Sequence, residues 1–198
     1  MNIKAKILNK FETFLHNNIE SITKDELEIA LYGMEVVYSL VTKTLLYFII
    51  SLILNCHKEF LTVILILATV RSTSFGFHAD KEINCYLSTF IVIFGTIYIA
   101  NNYSFNIIFK AITCILSFIA ILLFAPADTE KRPLLNGRTR SILKLCSSVT
   151  VLFFSFISLI NVGFMSQAII CILIINSINI SPILYKIFKR RYRNYEYY

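Results

Sequence analysis

Cys85 and His78 are the residue types that together perform nucleophilic chemistry. An imidazole takes the proton of a thiol, and the resulting thiolate attacks an electrophilic carbon. Both lie in the stretch Arg71-Ser-Thr-Ser-Phe-Gly-Phe-His78-Ala-Asp-Lys-Glu-Ile-Asn-Cys85, the densest polar cluster beside an apolar run. The seven-residue spacing has two geometric readings. On one continuous helix the side chains would share a face but stand about 10 Å apart along the axis, too far for proton transfer. If the chain turns at 79–82, His78 ends one helix, Cys85 opens the next, and the two ends can meet. Cys85 would then also feel the unpaired N–H groups of a helix's first turn, which favour a thiolate. The competing reading is that both are ordinary loop residues. Asp80, Glu82 and Asn84 either orient His78 or are simply solvated. The other four of the five cysteines (Cys56, Cys114, Cys146, Cys171) are scattered without paired spacing. That placement fits neither a disulfide framework nor a zinc cluster, so no metal site is expected.

The elements that must position this pair are apolar helices. Of 198 residues 57% are hydrophobic and only 16% charged, far from the balance of a soluble domain. Six apolar stretches run over roughly 33–55, 60–77, 84–101, 105–125, 141–161 and 164–188. A bilayer core of about 30 Å needs about 20 helical residues, so four of these span comfortably and the second and third are marginal. The 60–77 stretch does so only if Arg71, Ser72, Thr73 and Ser74 lie at the membrane boundary or face a wet cavity. Ahead of the spans, Ile3, Ile7, Phe11, Leu15, Ile19 and Ile22 form one stripe of an amphipathic interfacial helix, with no signal-peptide pattern. Thr23-Lys24-Asp25-Glu26 has the form of a capping box.

The formal charge of +7 sits at the ends of apolar runs and not on one soluble face, which argues against nucleic acid as a partner and for a lipid bilayer. Sixteen Lys and Arg lie in the N-terminal segment, the 71–83 and 126–144 loops and the C-terminal tail, against one, Lys58, in the intervening loops. This places both termini and both long loops in the cytoplasm. The expected architecture is all-α: a polytopic integral membrane protein of about six transmembrane helices behind an amphipathic N-terminal helix. It is read as a single membrane domain, 1–198. Residues 1–28 are interfacial and capping, 29–188 the transmembrane bundle, and 189–198 a basic, aromatic tail anchored at the interface.

The chain resembles the accessory gene regulator B family, membrane peptidases of Gram-positive quorum-sensing systems. One matching stretch is Gly76-Phe77-His78-Ala79 followed by Cys85, similar to the family's Gly-x-His-Ala with a Cys seven residues after the His. The other is Ala125-Pro126-Ala127-Asp128-Thr129-Glu130-Lys131-Arg132-Pro133-Leu134, which follows a long apolar span as the family's Ala-Pro…basic-Pro segment does. One departure is Phe75, where many members have a second Gly. The resemblance implies an endopeptidase that removes the acidic C-terminal tail of a small precursor peptide, with Cys85 as nucleophile and His78 as general base and acid. The N-terminal fragment is then held as a thioester until an internal Cys or Ser attacks and closes a thiolactone or lactone ring. Water exclusion would favour that transfer over hydrolysis. A homodimer and no cofactor are also implied.

Arg71 and Gly76 match recurring family positions. Arg71 either binds a substrate carboxylate or shapes the site, or is an interfacial positive charge; Gly76 serves the backbone, allowing a turn or a close approach. Lys131 and Arg132, with Arg138 and Arg140 near Pro133, form a basic patch for the precursor's acidic tail or for anionic lipid. Glu35 and Lys110 are expected to snorkel, and Lys43 to make a bundle or dimer contact. Two rival classes remain. A small transporter would use Glu35, Lys43 and Lys110 as a path, and a non-catalytic partner of a signalling system would tolerate changes at His78 and Cys85.

Overall fold

A computed structural model describes residues 3–19, 22–77, 82–128 and 134–197. The described elements are helical, apart from one isolated bridge between Phe75 and Ala127. The chain divides into two compact units, Met1–Asn55 and Cys56–Tyr198.

The first unit is α1 (Ile3–Asn18) packed against α2 (Lys24–Ile53). The capping box forms as the sequence predicts. Thr23 Oγ1 accepts from the Glu26 N–H at 3.3 Å, and the Glu26 carboxylate accepts from the Thr23 N–H at 2.9 Å. Two of the orphan donors at the start of a 30-residue helix are thereby satisfied. Ile7, Phe11 and Leu15 on the predicted stripe are half-buried. Glu35 accepts a charge-assisted hydrogen bond from Lys4 of α1, with its own side chain still 45% exposed. That pair gives a carboxylate within an apolar helix the partner it needs.

The second unit is arranged around α7 (Phe164–Ile180), against which α3 (His57–Ser74), α4 (Glu82–Asn102), α5 (Ile107–Phe124) and α6 (Gly137–Ile160) all pack. Residues 166–173 of α7 are buried without a break, as expected of a helix surrounded on every side. The surrounding helices turn Leu65, Ile91, Ile112, Ile119 and Phe156 outward. Ser74, Thr96, Ser117, Ser158, Gln167 and Asn176 are buried instead. Apolar outside and polar within is the distribution that lipid demands, because hydrocarbon cannot satisfy a hydroxyl or an amide. Four helices, α2, α4, α5 and α6, are long and apolar enough to cross a membrane. α3 carries Lys58, Glu59 and Arg71, and α7 has 17 residues. Several long apolar helices fit a multi-pass membrane protein.

Two apolar runs end earlier than their hydropathy indicates. The 60–77 run stops being helical at Ser74, because Phe75 (φ 55°) and Gly76 (φ 124°) leave the helical region. The 164–188 run breaks at Ser181, where Pro182 starts the short α8 (Pro182–Ile187). Lys110 also departs from expectation. It is 5% exposed, and its Nζ donates to Ser166 Oγ at 2.6 Å. Ser166 and Ser158 exchange further hydrogen bonds between α7 and α6. This polar knot holds the ammonium inside the bundle rather than letting it reach the headgroups.

A cavity at the central helix should cost far more than one at the lipid face. Ile170→Ala, fully buried, is expected to destabilise by about 2–5 kcal/mol. Leu116→Ala, 60% exposed, is expected to cost under about 1 kcal/mol. Thermal unfolding of the detergent-solubilised variants checks the contrast; equal losses would contradict a central α7.

Candidate functional site

The ends of α3, α5 and α7 and the starts of α4 and α6 gather the polar loops of the second unit. The last carbonyls of a helix have no partner within it, and the segments crossing this end of the bundle supply the missing donors. The Ala127 N–H donates to the Ser74 carbonyl of α3 at 3.0 Å, and the Gly76 N–H donates to the Ala127 carbonyl at 3.0 Å. The Phe77 N–H donates to the Asn179 carbonyl in the last turn of α7 at 3.2 Å. Ser74 Oγ adds a bond to Asn176 Oδ1 at 3.1 Å. The segment leading out of α3 is thus pinned to the loop after α5 and to the end of α7.

Gly76 fits this arrangement for two reasons. Its φ of 124° is one that side-chain-bearing residues rarely adopt, and a Cβ there would lie 2.6 Å from Asn179 Nδ2. Phe75, at φ 55°, occupies backbone space that glycine takes more freely. Arg71 reaches from the last turn of α3 to the Phe77 carbonyl, donating at 3.3 Å. Its guanidinium is close enough to act electrostatically on Cys85 and Tyr185. The Phe77 ring stacks on Phe188 with centroids 4.8 Å apart and meets Tyr185 edge-on. The residue just before His78 is therefore held through its N–H, its carbonyl and its ring.

Cys85 is the fourth residue of α4, half-buried, with its carbonyl accepting from Thr89 Oγ1 at 2.7 Å. α3 ends at Ser74, and α4 is described from Glu82. His78 itself lies outside the described residues, as do Asp80, Lys131, Arg132 and Pro133. Cys56, which precedes His57, is a poorer nucleophile: burial pushes its thiol up, and the Glu59 carboxylate adds to the shift. Among the described residues no three His, Cys, Asp or Glu side chains converge as a metal site.

Comparison with known proteins decides what this chain is related to. The family model for accessory gene regulator B matches residues 8–184. The chain belongs to the accessory gene regulator B family. An AgrB-like protein of Listeria monocytogenes is 34% identical over 168 residues, which cover 84% of this chain and 82% of that one. An AgrB-like protein of Clostridium acetobutylicum is 26% identical over 91% of this chain and 85% of its own. The accessory gene regulator protein B of Staphylococcus aureus is 26% identical over 93% and 98% respectively. No solved structure matches. Family membership assigns the chain a role in accessory gene regulation, that is, in quorum sensing.

Within this AgrB-family chain, the residues that sequence reasoning missed are polar ones without a formal charge in the spans, and one acid in a loop. Asn176 and Asn179 are three apart in an apolar run, a spacing that puts both on one helical face. Intramembrane amides are as informative as intramembrane charges. Asp128 is 3% exposed. Its carboxylate accepts from the Asn194 N–H at 2.9 Å, the Tyr195 N–H at 3.0 Å, Asn194 Nδ2 and the Leu134 N–H. Its carbonyl accepts from the Tyr185 hydroxyl at 2.9 Å. The C-terminal tail is therefore folded back onto Asp128 rather than only anchored at an interface.

Two outcomes follow. Asp128→Asn presents an amide where N–H donors converge, leaving donors unpaired at about 1–3 kcal/mol. Hydrogen exchange at the Asn194 and Tyr195 amides should accelerate by about ten-fold or more while α5–α7 stay protected; unchanged exchange would remove Asp128 as the latch. Gly76→Ala should cost more stability than Phe75→Gly, because only the former adds a clash and worsens the backbone. Thermal denaturation of both variants, side by side, checks the order.

Proposed function

We propose that this chain is a membrane-embedded cysteine endopeptidase that trims a quorum-sensing precursor peptide and passes the trimmed fragment to ring closure. What carries the reading is the Arg71 contact set. The Arg71 guanidinium, part-buried at the end of α3, donates to the Phe77 carbonyl next to His78 and is within electrostatic reach of the Cys85 thiol at the start of α4. A cation within electrostatic reach of a thiol favours the thiolate.

In the reaction, His78 takes the Cys85 proton and the sulfur attacks the carbonyl carbon at the scissile bond. The C–N bond breaks as His78 returns the proton to the leaving amine, so the tail departs with a new amino terminus. The N-terminal fragment remains as a thioester on Cys85. An internal thiol or hydroxyl of that fragment then attacks the same carbonyl, its proton passing through His78 to the departing Cys85 sulfur. No water is consumed and no oxidant is needed. A thioester conserves enough activation for transfer to a second thiol with little loss. Lys131, Arg132 and Pro133 belong in this reading to recognition of the precursor's acidic tail. The positive-inside charge distribution puts the reaction on the cytoplasmic side of the cell membrane.

A transporter reading is weakened by Glu35 and Lys110, which are engaged with Lys4 and Ser166 inside their own units.

The test is intact mass spectrometry of peptides from cells expressing this chain with a precursor encoded beside it. Wild type should yield the trimmed peptide and a cyclic product one water lighter than the linear fragment. Cys85→Ala should yield neither, and His78→Ala should cut slower by about 10²–10⁴-fold. Equal cleavage by all three proteins at matched membrane abundance would end the peptidase assignment.

A further inference from the structure

Asn179, in the last turn of α7, carries a side-chain amide that makes no hydrogen bond among the described residues. Its backbone carbonyl accepts from the Phe77 N–H at 3.2 Å, and its amide lies against Gly76, with Nδ2 2.6 Å from where a Cβ there would stand. An Asn at a helix end commonly spends its amide on the free carbonyls of its own last turn. Here other groups satisfy them. Ser181 donates to the Ile178 carbonyl through its N–H at 3.2 Å and its Oγ at 2.8 Å, and Phe77 donates to the carbonyl of Asn179. The polar side chains nearby are committed elsewhere. Ser74 Oγ bonds the Val70 carbonyl and Asn176 Oδ1, and the Tyr185 hydroxyl donates to the Asp128 carbonyl. Asn176 is 3% exposed, whereas Asn179 is only half-buried, within reach of a bound peptide.

The amide is also held in place. It stands on the helix against which α3, α4, α5 and α6 all pack. Phe77 is bonded through its N–H to Asn179 and through its carbonyl to Arg71, the cation within electrostatic reach of Cys85. A fixed donor that needs no rearrangement is what stabilises charge as it develops.

We propose that Asn179 is a catalytic residue of the Cys85 site, its side-chain amide donating to the oxyanion of the scissile carbonyl. The proposal rests on the peptidase reading. When the Cys85 sulfur adds to the carbonyl carbon, an S–C bond forms and the C=O π pair moves onto oxygen, where the amide N–H receives it. The pair then returns, the C–N bond breaks, and the amine of the tail leaves with the proton that came off the thiol. A second oxyanion forms at the same place when the internal nucleophile of the fragment displaces the sulfur. Gly76 has a function here beyond its φ, since the missing Cβ leaves the space that the amide occupies.

Two reactions of one thiol separate this role from a structural one. Alkylation of Cys85 by iodoacetamide needs the thiolate but forms no oxyanion, whereas trimming needs both. Full-length protein in nanodiscs is alkylated and followed at Cys85 by peptide mass mapping, and kcat and KM are measured with the precursor encoded beside the chain. Asn179→Ala should alkylate at Cys85 within about two-fold of wild type, while kcat falls by about 10²–10³-fold and KM stays within about three-fold. An unchanged kcat, or a fall in kcat matched by an equal fall in alkylation, would overturn the proposal. If Asn179→Ala does not fold, Asn179→Leu, close in shape but without a donor, decides by the same two rates. Cys85→Ala is assayed alongside. Trimming that survives Cys85→Ala would end the peptidase reading and this proposal with it. Trimming lost in Cys85→Ala but kept in the Asn179 variants would remove Asn179 alone.

Discussion

The second unit depends on satisfying the backbone where a helix stops inside an apolar bundle. A carbonyl or N–H left bare in such surroundings costs several kcal/mol, so a helix can end there only if another segment arrives to pair with it. α3 ends at Ser74, and Ala127 supplies the donor for its carbonyl; α7 ends at Ile180, and Phe77 supplies the donor for Asn179. These bonds fix the exit of α3 as far as Phe77. They also explain why the two motif stretches, some fifty residues apart, occur in one protein: each completes the hydrogen bonding of the other.

The pairing propagates outward. Ala127 can hold Phe75 and Gly76 only if the loop after α5 is itself fixed, and Asp128 fixes it by gathering N–H groups from Leu134, Asn194 and Tyr195. A buried carboxylate with several N–H donors is satisfied without a cation, so the surrounding arginines remain available for other contacts. Arg71 goes to the Phe77 carbonyl and the vicinity of Cys85, and Arg140 goes to the face of Tyr195. At the other end of the same bundle, Lys110, Ser158, Ser166 and Gln167 form a separate polar knot, with Gln167 accepting from the Phe105 N–H at 3.0 Å. That knot joins α5, α6 and α7 and leaves the Cys85 end to be shaped by its own contacts.

Much of this was legible in the sequence because it depends on local rules. The Thr23–Glu26 capping box is a four-residue pattern with its own geometry. The apolar runs are long enough to announce helices whatever surrounds them, and the polar stretch from Arg71 to Cys85 announces a break between two of them. What was not legible depends on partners far along the chain. Hydropathy carried the second run to Phe77, since Phe75 and Phe77 are as apolar as the helix before them; only the docking on Ala127 and Asn179 ends it at Ser74. Lys110 near a helix end reads as a snorkelling residue until Ser166 is seen opposite. The tail reads as an anchor because its Tyr and Arg content suits an interface equally well; nothing within 189–198 points to Asp128, more than sixty residues earlier.

Phe75 shows how far the pattern of the site can bend. Its left-handed backbone costs about 1–3 kcal/mol for a side-chain-bearing residue, yet the bridge to Ala127 and the C-cap bond from its N–H to the Arg71 carbonyl hold it there. The side chain at 75 still finds space and is half-buried. A side chain at 76 does not, because Asn179 already occupies the place of its Cβ. Strain already separates the two positions, since φ 124° is less open to a side-chain-bearing residue than φ 55°, and the close packing against the end of α7 widens the difference. Backbone conformation thus sets which residues are comfortable in this turn, and the neighbouring helix sets which are possible.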